Sequence, residues 1–219
     1  MCGKFTQKLD TRLDALADAL GDSPIETVTP MRFADVLALD REGARKFVRM
    51  RWGLIPRDAP DARDTKPHIH ARAESIDVKP TFRDAFAKRR GLIFVSSFNE
   101  GEEVSPTKTA QYVLTPTDDK PIAIAVVWNY WRKEGEPALL NFAMVTTPAN
   151  ELIGTITDRM PALIESEDWP KWLGEVSASP VELKALLRPS TRALKMQAAA
   201  AKPPPPAKPK RDDAQADLF

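Results

Sequence analysis

The sequence predicts an α+β fold, a largely antiparallel sheet or partial barrel with short flanking helices. Short apolar and alternating segments outnumber long helical ones. The strand-like segments follow one another instead of alternating with helices, which argues against a doubly wound sheet. With 42% hydrophobic residues, five Trp and nine Phe, the chain has the material for one large core. That domain is expected over residues 1–196, followed by a Pro/Ala/Lys-rich linker at 197–214 and a terminal peptide at 215–219.

Residues 1–8 read as a short extended start. Leu9, Leu13, Leu16 and Leu20 recur at helical spacing, with Asp10 or Thr11 placed to cap the helix and Gly21 to end it. Phe33 to Leu39 and Lys46 to Trp52 read as strands around a turn at Asp40-Arg41-Glu42-Gly43. Pro56 to Pro67 is polar and aperiodic, a long surface loop of the kind that is often functional. Thr81 to Arg90 suggests a short helix with Phe82 and Phe86 inward, and Gly91 to Val95 an apolar strand. Asn99 to Thr109 is a polar interval. Gln111–Thr115, Ile122–Trp128 and Leu139–Thr146 are further strands. A helix or turn begins at Pro148-Ala149-Asn150, and short helices follow around Trp169 and Trp172 and over Val181 to Leu187. After Met196 the composition changes abruptly. Pro203 to Pro206 cannot join a helix or a central strand, and the segment reads as a stiff, solvated linker.

Composition excludes several classes. A net charge of +1 rules out a generally polybasic protein but allows a local basic groove. One cysteine rules out an intramolecular disulfide framework and a multi-Cys metal site. His68 and His70 lie two apart without a third ligand at a fixed spacing, so no metal and no cofactor is expected. No apolar run is long enough to span a membrane, and the N-terminus has no signal-peptide pattern. The expectation is a cytoplasmic monomer.

Chemistry concentrates at the start of the chain. Cys2 is the single cysteine. If Met1 is removed, Cys2 carries an α-amine and a thiol on adjacent carbons, a 1,2-aminothiol. With an aldehyde the amine condenses to an imine, and the sulfur then closes a five-membered thiazolidine. An α-amine titrates near ~8 and a free thiol near ~8.5, so both have nucleophilic fractions at neutral pH.

Five stretches gain meaning together: Met1-Cys2-Gly3-Lys4-Phe5, Trp52-Gly53-Leu54-Ile55-Pro56, Ala71-Arg72-Ala73-Glu74-Ser75, Phe98-Asn99-Glu100 and Asp158-Arg159-Met160-Pro161. Singly, each has a plainer reading. Arg72 and Glu74 suit a surface ion pair, Glu100 a solvated loop acid, and Arg159 a buried arginine paired with Asp158 or Glu74. In this order and spacing they resemble the SOS response-associated peptidase family, the abasic-site processing proteins. The resemblance covers residues 1 to about 190.

The resemblance implies that Cys2, exposed by loss of Met1, forms a thiazolidine crosslink with the aldehyde of an abasic site in single-stranded DNA. The crosslink shields the lesion from strand cleavage during replication. It matches Glu100 to the family's catalytic glutamate, which needs a pKa nearer neutrality than a free carboxyl. It matches Arg72 to a phosphate-gripping arginine, and Lys4, Pro30, Trp52 and Arg159 to the DNA-binding face. Trp52 is a possible stacking surface for a base. Arg49, Arg51, Lys79, Arg83, Arg89 and Arg90 are further phosphate candidates.

This sequence also departs from the family pattern. His70 stands where the family has asparagine, and Thr157 where it has histidine. The Thr157 hydroxyl does not titrate near neutrality, so it is no general acid or base. Either His70 takes over part of the missing role, or it only hydrogen-bonds the sugar and the reaction is slower. Gln215-Ala216-Asp217-Leu218-Phe219 resembles the peptide with which bacterial repair proteins bind the sliding clamp. Leu218 and Phe219 would be its apolar anchors, while Gln215 and Asp217 set register, with the linker giving reach. Two other readings stand beside this one: a non-covalent single-stranded-DNA-binding or clamp-adaptor protein, and an N-terminal-nucleophile amidohydrolase.

Overall fold

The computed structural model describes residues 2–8, 25–118, 120–135 and 137–200. The helix expected over Leu9 to Leu20, most of the linker and the terminal peptide lie outside them. In chain order the strands are β1 (Lys4–Lys8), β2 (Ile25–Val28), β3 (Phe33–Leu39), β4 (Arg45–Trp52), β5 (His70–Arg72), β6 (Arg90–Val95), β7 (Ser97–Ser105), β8 (Lys108–Pro116), β9 (Ile122–Trp131), β10 (Leu139–Pro148), β11 (Arg159–Pro161) and β12 (Leu194–Ala198). The α-helices are α1 (Pro80–Lys88), α2 (Glu151–Gly154), α3 (Trp169–Leu173) and α4 (Pro180–Leu186).

Two sheets result, mixed with short helices as the α+β reading requires. One runs β12-β8-β7-β1-β2 and is antiparallel throughout. The other runs β11-β10-β4-β3-β6-β9, and a further β9–β10 pairing closes that run on itself. Strand β10 pairs antiparallel with β9 and β11 but parallel with β4 and β5. Among the described residues no helix is long and apolar enough to cross a membrane.

Alternate residues of the central strands enter two different cores. In β9, Ala123, Ala125 and Val127 join Leu92, Phe86 and Trp172 on the helical side. Ile122, Ile124 and Val126 join Phe5, Phe98 and Phe142 on the side of the five-stranded sheet. Both faces exclude water, so these strands read as continuous apolar runs and their side-to-side alternation is invisible in the sequence.

The polar interval Asn99 to Thr109 forms part of a hairpin. Strands β7 and β8 pair from Phe98↔Leu114 to Ser105↔Lys108, with a register shift between Glu103 and Ser105. Its polar residues lie on an arm that leaves the core, where Glu103, Val104, Lys108 and Thr109 are all exposed.

Candidate active site

Cys2 enters the site because β1 begins two residues after it and is held from both sides. Lys4 lies opposite Asn99 of β7, and Phe5 lies between Val28 of β2 and Phe98 of β7. Cys2 is 0% exposed. Its Sγ–H donates to the Lys4 carbonyl at 3.4 Å. Burial pushes the thiol well above its usual range, and the Glu100 charge pushes it further. Hydrogen bonds from the Lys4 and Asn99 backbones oppose both.

Glu100 follows Asn99 on β7 and is also 0% exposed. Burial raises its carboxyl from 4.5 to about 7. The positive amino terminus and a hydrogen bond from the Cys2 backbone N–H pull it down, while the Asp158 charge adds to the rise. A carboxyl near 7 is half-protonated at working pH, which suits one that both gives and takes a proton.

His70 closes the opposite wall. It opens β5, which lies parallel to β10 with His70 opposite Met144. Its Nε2–H donates to the Cys2 carbonyl at 2.8 Å. Burial lowers its pKa to about 4, against the Cys2 carbonyl, which favours the charged ring. The imidazole is therefore neutral at pH 7, and its Nε2 proton is committed to the Cys2 backbone. His70 is thus bonded to the main chain of Cys2.

Trp52 cannot stack on a base: it is 0% exposed. Its ring lies parallel to Phe142 at 6.4 Å and tilted against Phe5 at 5.2 Å. Edge-on contact with His70 at 6.1 Å and a 2.8 Å hydrogen bond from Nε1 to the Ile69 carbonyl anchor the segment carrying His70. Gly53 has φ +139°, and a Cβ there would meet the Met31 methyl at 2.2 Å, so the turn after Trp52 requires glycine. Pro30, half-buried, sits in the facing turn, where the Met31 N–H donates to the Trp52 carbonyl at 2.8 Å.

Arg159 is likewise withdrawn from the DNA-binding face. It is 8% exposed. Its two terminal nitrogens grip both carboxylate oxygens of Glu74, and Nη2 also donates to the Thr146 carbonyl at 2.8 Å. The plainer reading of Arg159, a buried arginine paired with Glu74, is the right one. Arg49, Arg89 and Arg90 are also engaged. Arg49 meets Glu26 and Asp35, Arg89 meets Asp84, and Arg90 donates to the carbonyls of Phe86, Ala87 and Trp172. Arg72 is exposed on β5 and Lys4 is half-buried on β1. Thr157 is half-buried just before β11, and its backbone N–H donates to the Ile153 carbonyl at 3.0 Å.

Two contributors went unassigned in the sequence. Asn99 sends its backbone N–H to Cys2, and Asp158 sets charge beside Glu100. Both stood inside quoted motifs, so proximity in sequence was the available signal. Among the described residues no group of three or more His, Cys, Asp or Glu is placed to hold a metal ion.

The profile of the SOS response associated peptidase (SRAP) family matches residues 1–202. The abasic site processing protein YoqW of Bacillus subtilis (strain 168) is 30% identical over 200 residues, 86% of this chain and 87% of YoqW. The abasic site processing protein HMCES of Gallus gallus is 24% identical over 171 residues, 67% of this chain and 50% of HMCES. A crystal structure of a Bordetella bronchiseptica protein superposes with a TM-score of 0.76 at 21% identity, covering 91% of this chain and 100% of that one. One from Bacteroides thetaiotaomicron gives 0.69 at 22% identity, covering 89% and 84%. At these identities the structural likeness concerns the fold alone.

Proposed function

The chain belongs to the SOS response associated peptidase family, and we propose that it processes abasic sites in single-stranded DNA by crosslinking itself to them through Cys2. One observation carries the reading: the Glu100 carboxyl, raised to about 7, accepts a hydrogen bond from the nitrogen of Cys2. With Met1 removed, that nitrogen is the α-amine of a 1,2-aminothiol.

The reaction then follows from proton bookkeeping. The opened sugar presents an aldehyde, and the Cys2 amine adds to it to give a carbinolamine. Glu100 in its acid form protonates the carbinolamine hydroxyl, which leaves as water, and the resulting carboxylate takes the nitrogen's proton to leave a neutral imine. The Cys2 sulfur adds to the imine carbon and closes the thiazolidine, while its proton passes to the former imine nitrogen with Glu100 as the relay. The buried thiol stays protonated until that step, because burial and the Glu100 charge both disfavour thiolate. His70 holds the Cys2 carbonyl so that amine and sulfur keep one orientation toward the incoming carbon. The same Glu100–Cys2 contact would protonate the departing Cys2 nitrogen when the Met1–Cys2 bond is cut, so one carboxyl serves self-maturation and crosslinking.

Arg72 and Lys4 are assigned to phosphate contacts and Pro30 to the DNA-binding face. Gln215, Asp217, Leu218 and Phe219 are assigned to the sliding clamp, in a cytoplasmic protein acting during replication and SOS repair. A tail peptide with Leu218 and Phe219 changed to Ala should lose clamp binding; equal binding by both peptides rejects that assignment. Thr157 favours a second reading, a non-covalent single-stranded-DNA binder with reduced catalysis.

Incubation with abasic single-stranded DNA should yield an adduct that survives denaturation, and Cys2→Ala should yield none. An equal adduct from Cys2→Ala rejects the covalent mechanism. No adduct from the parent chain, with DNA binding intact, selects the second reading.

A further inference from the structure

A second recess lies on the face of β4 that leads to Trp52. Its volume is about 390 Å³ and its floor is apolar: Val48 and Met50 of β4, Trp128 of β9 and Leu140 of β10. Val48, Trp128 and Leu140 are only half-buried, although each packs on the core that contains Cys2. The rim carries Arg41, Lys46 and Lys88, with Asp40 in the lining and Asp84 beside it, where Asp84 holds Arg89 and also meets Lys88. Lys46 and Lys88 are 62% and 73% exposed, so their charges face solvent even though each also meets an aspartate. None of the reaction steps above uses this recess.

An apolar floor inside a basic rim fits a peptide with large apolar anchors among acidic residues. One such segment is in this chain. Residues 212–219 read Asp-Asp-Ala-Gln-Ala-Asp-Leu-Phe, with three acids, no base and two large apolar side chains. The segment lies outside the described residues. The chain from Ala200 to Leu218 can span at most ~60 Å, since an extended chain covers ~3.3 Å per residue. A domain of this size has a radius of gyration of only about 16 Å, so the tether covers the distance to any surface of its own domain.

We propose that residues 212–219 dock in this recess, with Leu218 and Phe219 on the Val48–Trp128–Leu140 floor and the aspartates toward Arg41, Lys46 and Lys88. The same two anchors serve the clamp peptide proposed above, so docking on the chain's own domain and capture by a partner exclude each other. The tail is then a competitive switch: a partner engages it only by displacing the domain. The recess favours this occupant over a nucleic-acid strand because three of its four floor residues are aliphatic. They offer side-chain sockets, whereas stacking surfaces for successive bases need aromatic faces.

The test needs no abasic DNA and no clamp, so it stands apart from the function proposed above. The Trp128 indole N–H resonance, assigned by its loss in Trp128→Phe, is followed in the full chain. It should shift in the Leu218→Ala/Phe219→Ala chain and return when a synthetic peptide of residues 209–219 is added. Lys46→Glu with Lys88→Glu should weaken that peptide at least tenfold. The proposal is overturned by an unchanged Trp128 resonance that ignores the peptide, or by a Kd indifferent to the charge reversals. A shift that grows with protein concentration assigns the recess to a second copy's tail. A response to unmodified oligo(dT) but not to the peptide assigns it to nucleic acid. Either result rejects docking within one chain.

Discussion

Glu100 and Glu74 belong to motifs that look equally functional in the sequence, and the fold treats them in opposite ways. Glu100 is wholly buried beside the Cys2 nitrogen, and burial lifts its pKa to about 7. Glu74 is half-exposed, and the two-pronged grip of Arg159 holds its carboxyl below the usual range, with Arg72 adding to the pull. One carboxyl can exchange protons near neutrality, while the other is held as an anion by Arg159 and ties the turn at Ala73–Ser75, just after β5, to β11. The environment divides the labour between residues of one type.

The sharpest break of this contrast is a matched pair of substitutions. Glu100→Gln should lower the single-turnover crosslinking rate by ~10²–10⁴, the usual range for loss of a general acid–base. Glu74→Gln should leave the rate of the folded protein within a few fold. If both slow the chemistry alike, the two glutamates do not have separate roles.

Next in size is the structural half. Arg159→Ala should destabilise the domain by ~3 kcal/mol, the low end for breaking a buried pair because Glu74 retains solvent. Urea denaturation measures it, and a change under 1 kcal/mol would show that the pair does not hold the fold.

Stability against pH should separate the two acids again. The pKa of Glu100 is raised on folding, so the native state binds the extra proton. Its contribution is fully present below pH 4.5 and is lost as pH climbs from 4.5 to about 7. At ~1.4 kcal/mol per pH unit the loss approaches ~3 kcal/mol. Glu100→Gln should abolish that decline and be more stable than the parent at pH 8, although it is the slower catalyst. Glu74 has the opposite sign: its lowered pKa stabilises the fold above pH 4.5, and the benefit fades as pH falls below that value. Melting curves from about pH 2 to 8 for the parent and both variants test the two signs together.

The smallest expected effect concerns Arg72, the exposed neighbour of Glu74. Arg72→Ala should weaken single-stranded DNA binding by roughly tenfold or less and reduce the salt slope by ~1, as for one lost phosphate contact. An unchanged slope would leave Arg72 as a helper of the Glu74–Arg159 pair.

How far the sequence could be read depended on what each residue faced. Strands β3, β4, β6 and β9 were legible because apolar runs broken by Asp40–Gly43 or by prolines have few other solutions. Of the β7–β8 hairpin only Gln111–Thr115 was legible, because the rest of its arm carries Glu102, Glu103 and Lys108 and reads only as a polar interval. Strands β5 and β11 are three residues each, too short to show a period. Each forms by pairing with β10, more than ten residues away from either in the chain.

Residue chemistry and order were local, and they sufficed for the family; the aminothiol chemistry of Cys2 and an acid role for Glu100 remain what we propose from them. Burial and partnership were not local. Trp52 next to Arg51 looked like a stacking face until Phe142 and Phe5, brought in by other strands, enclosed it. Arg159 read either as a DNA contact or as a buried ion-paired arginine, and the turn after β5 decides it by placing Glu74 against it. His70 read either as a stand-in for the missing histidine or as a hydrogen-bonding partner of the sugar, and burial keeps it neutral with its proton on the Cys2 carbonyl. These outcomes depend on contacts between segments 47 to 90 residues apart, which no local pattern encodes.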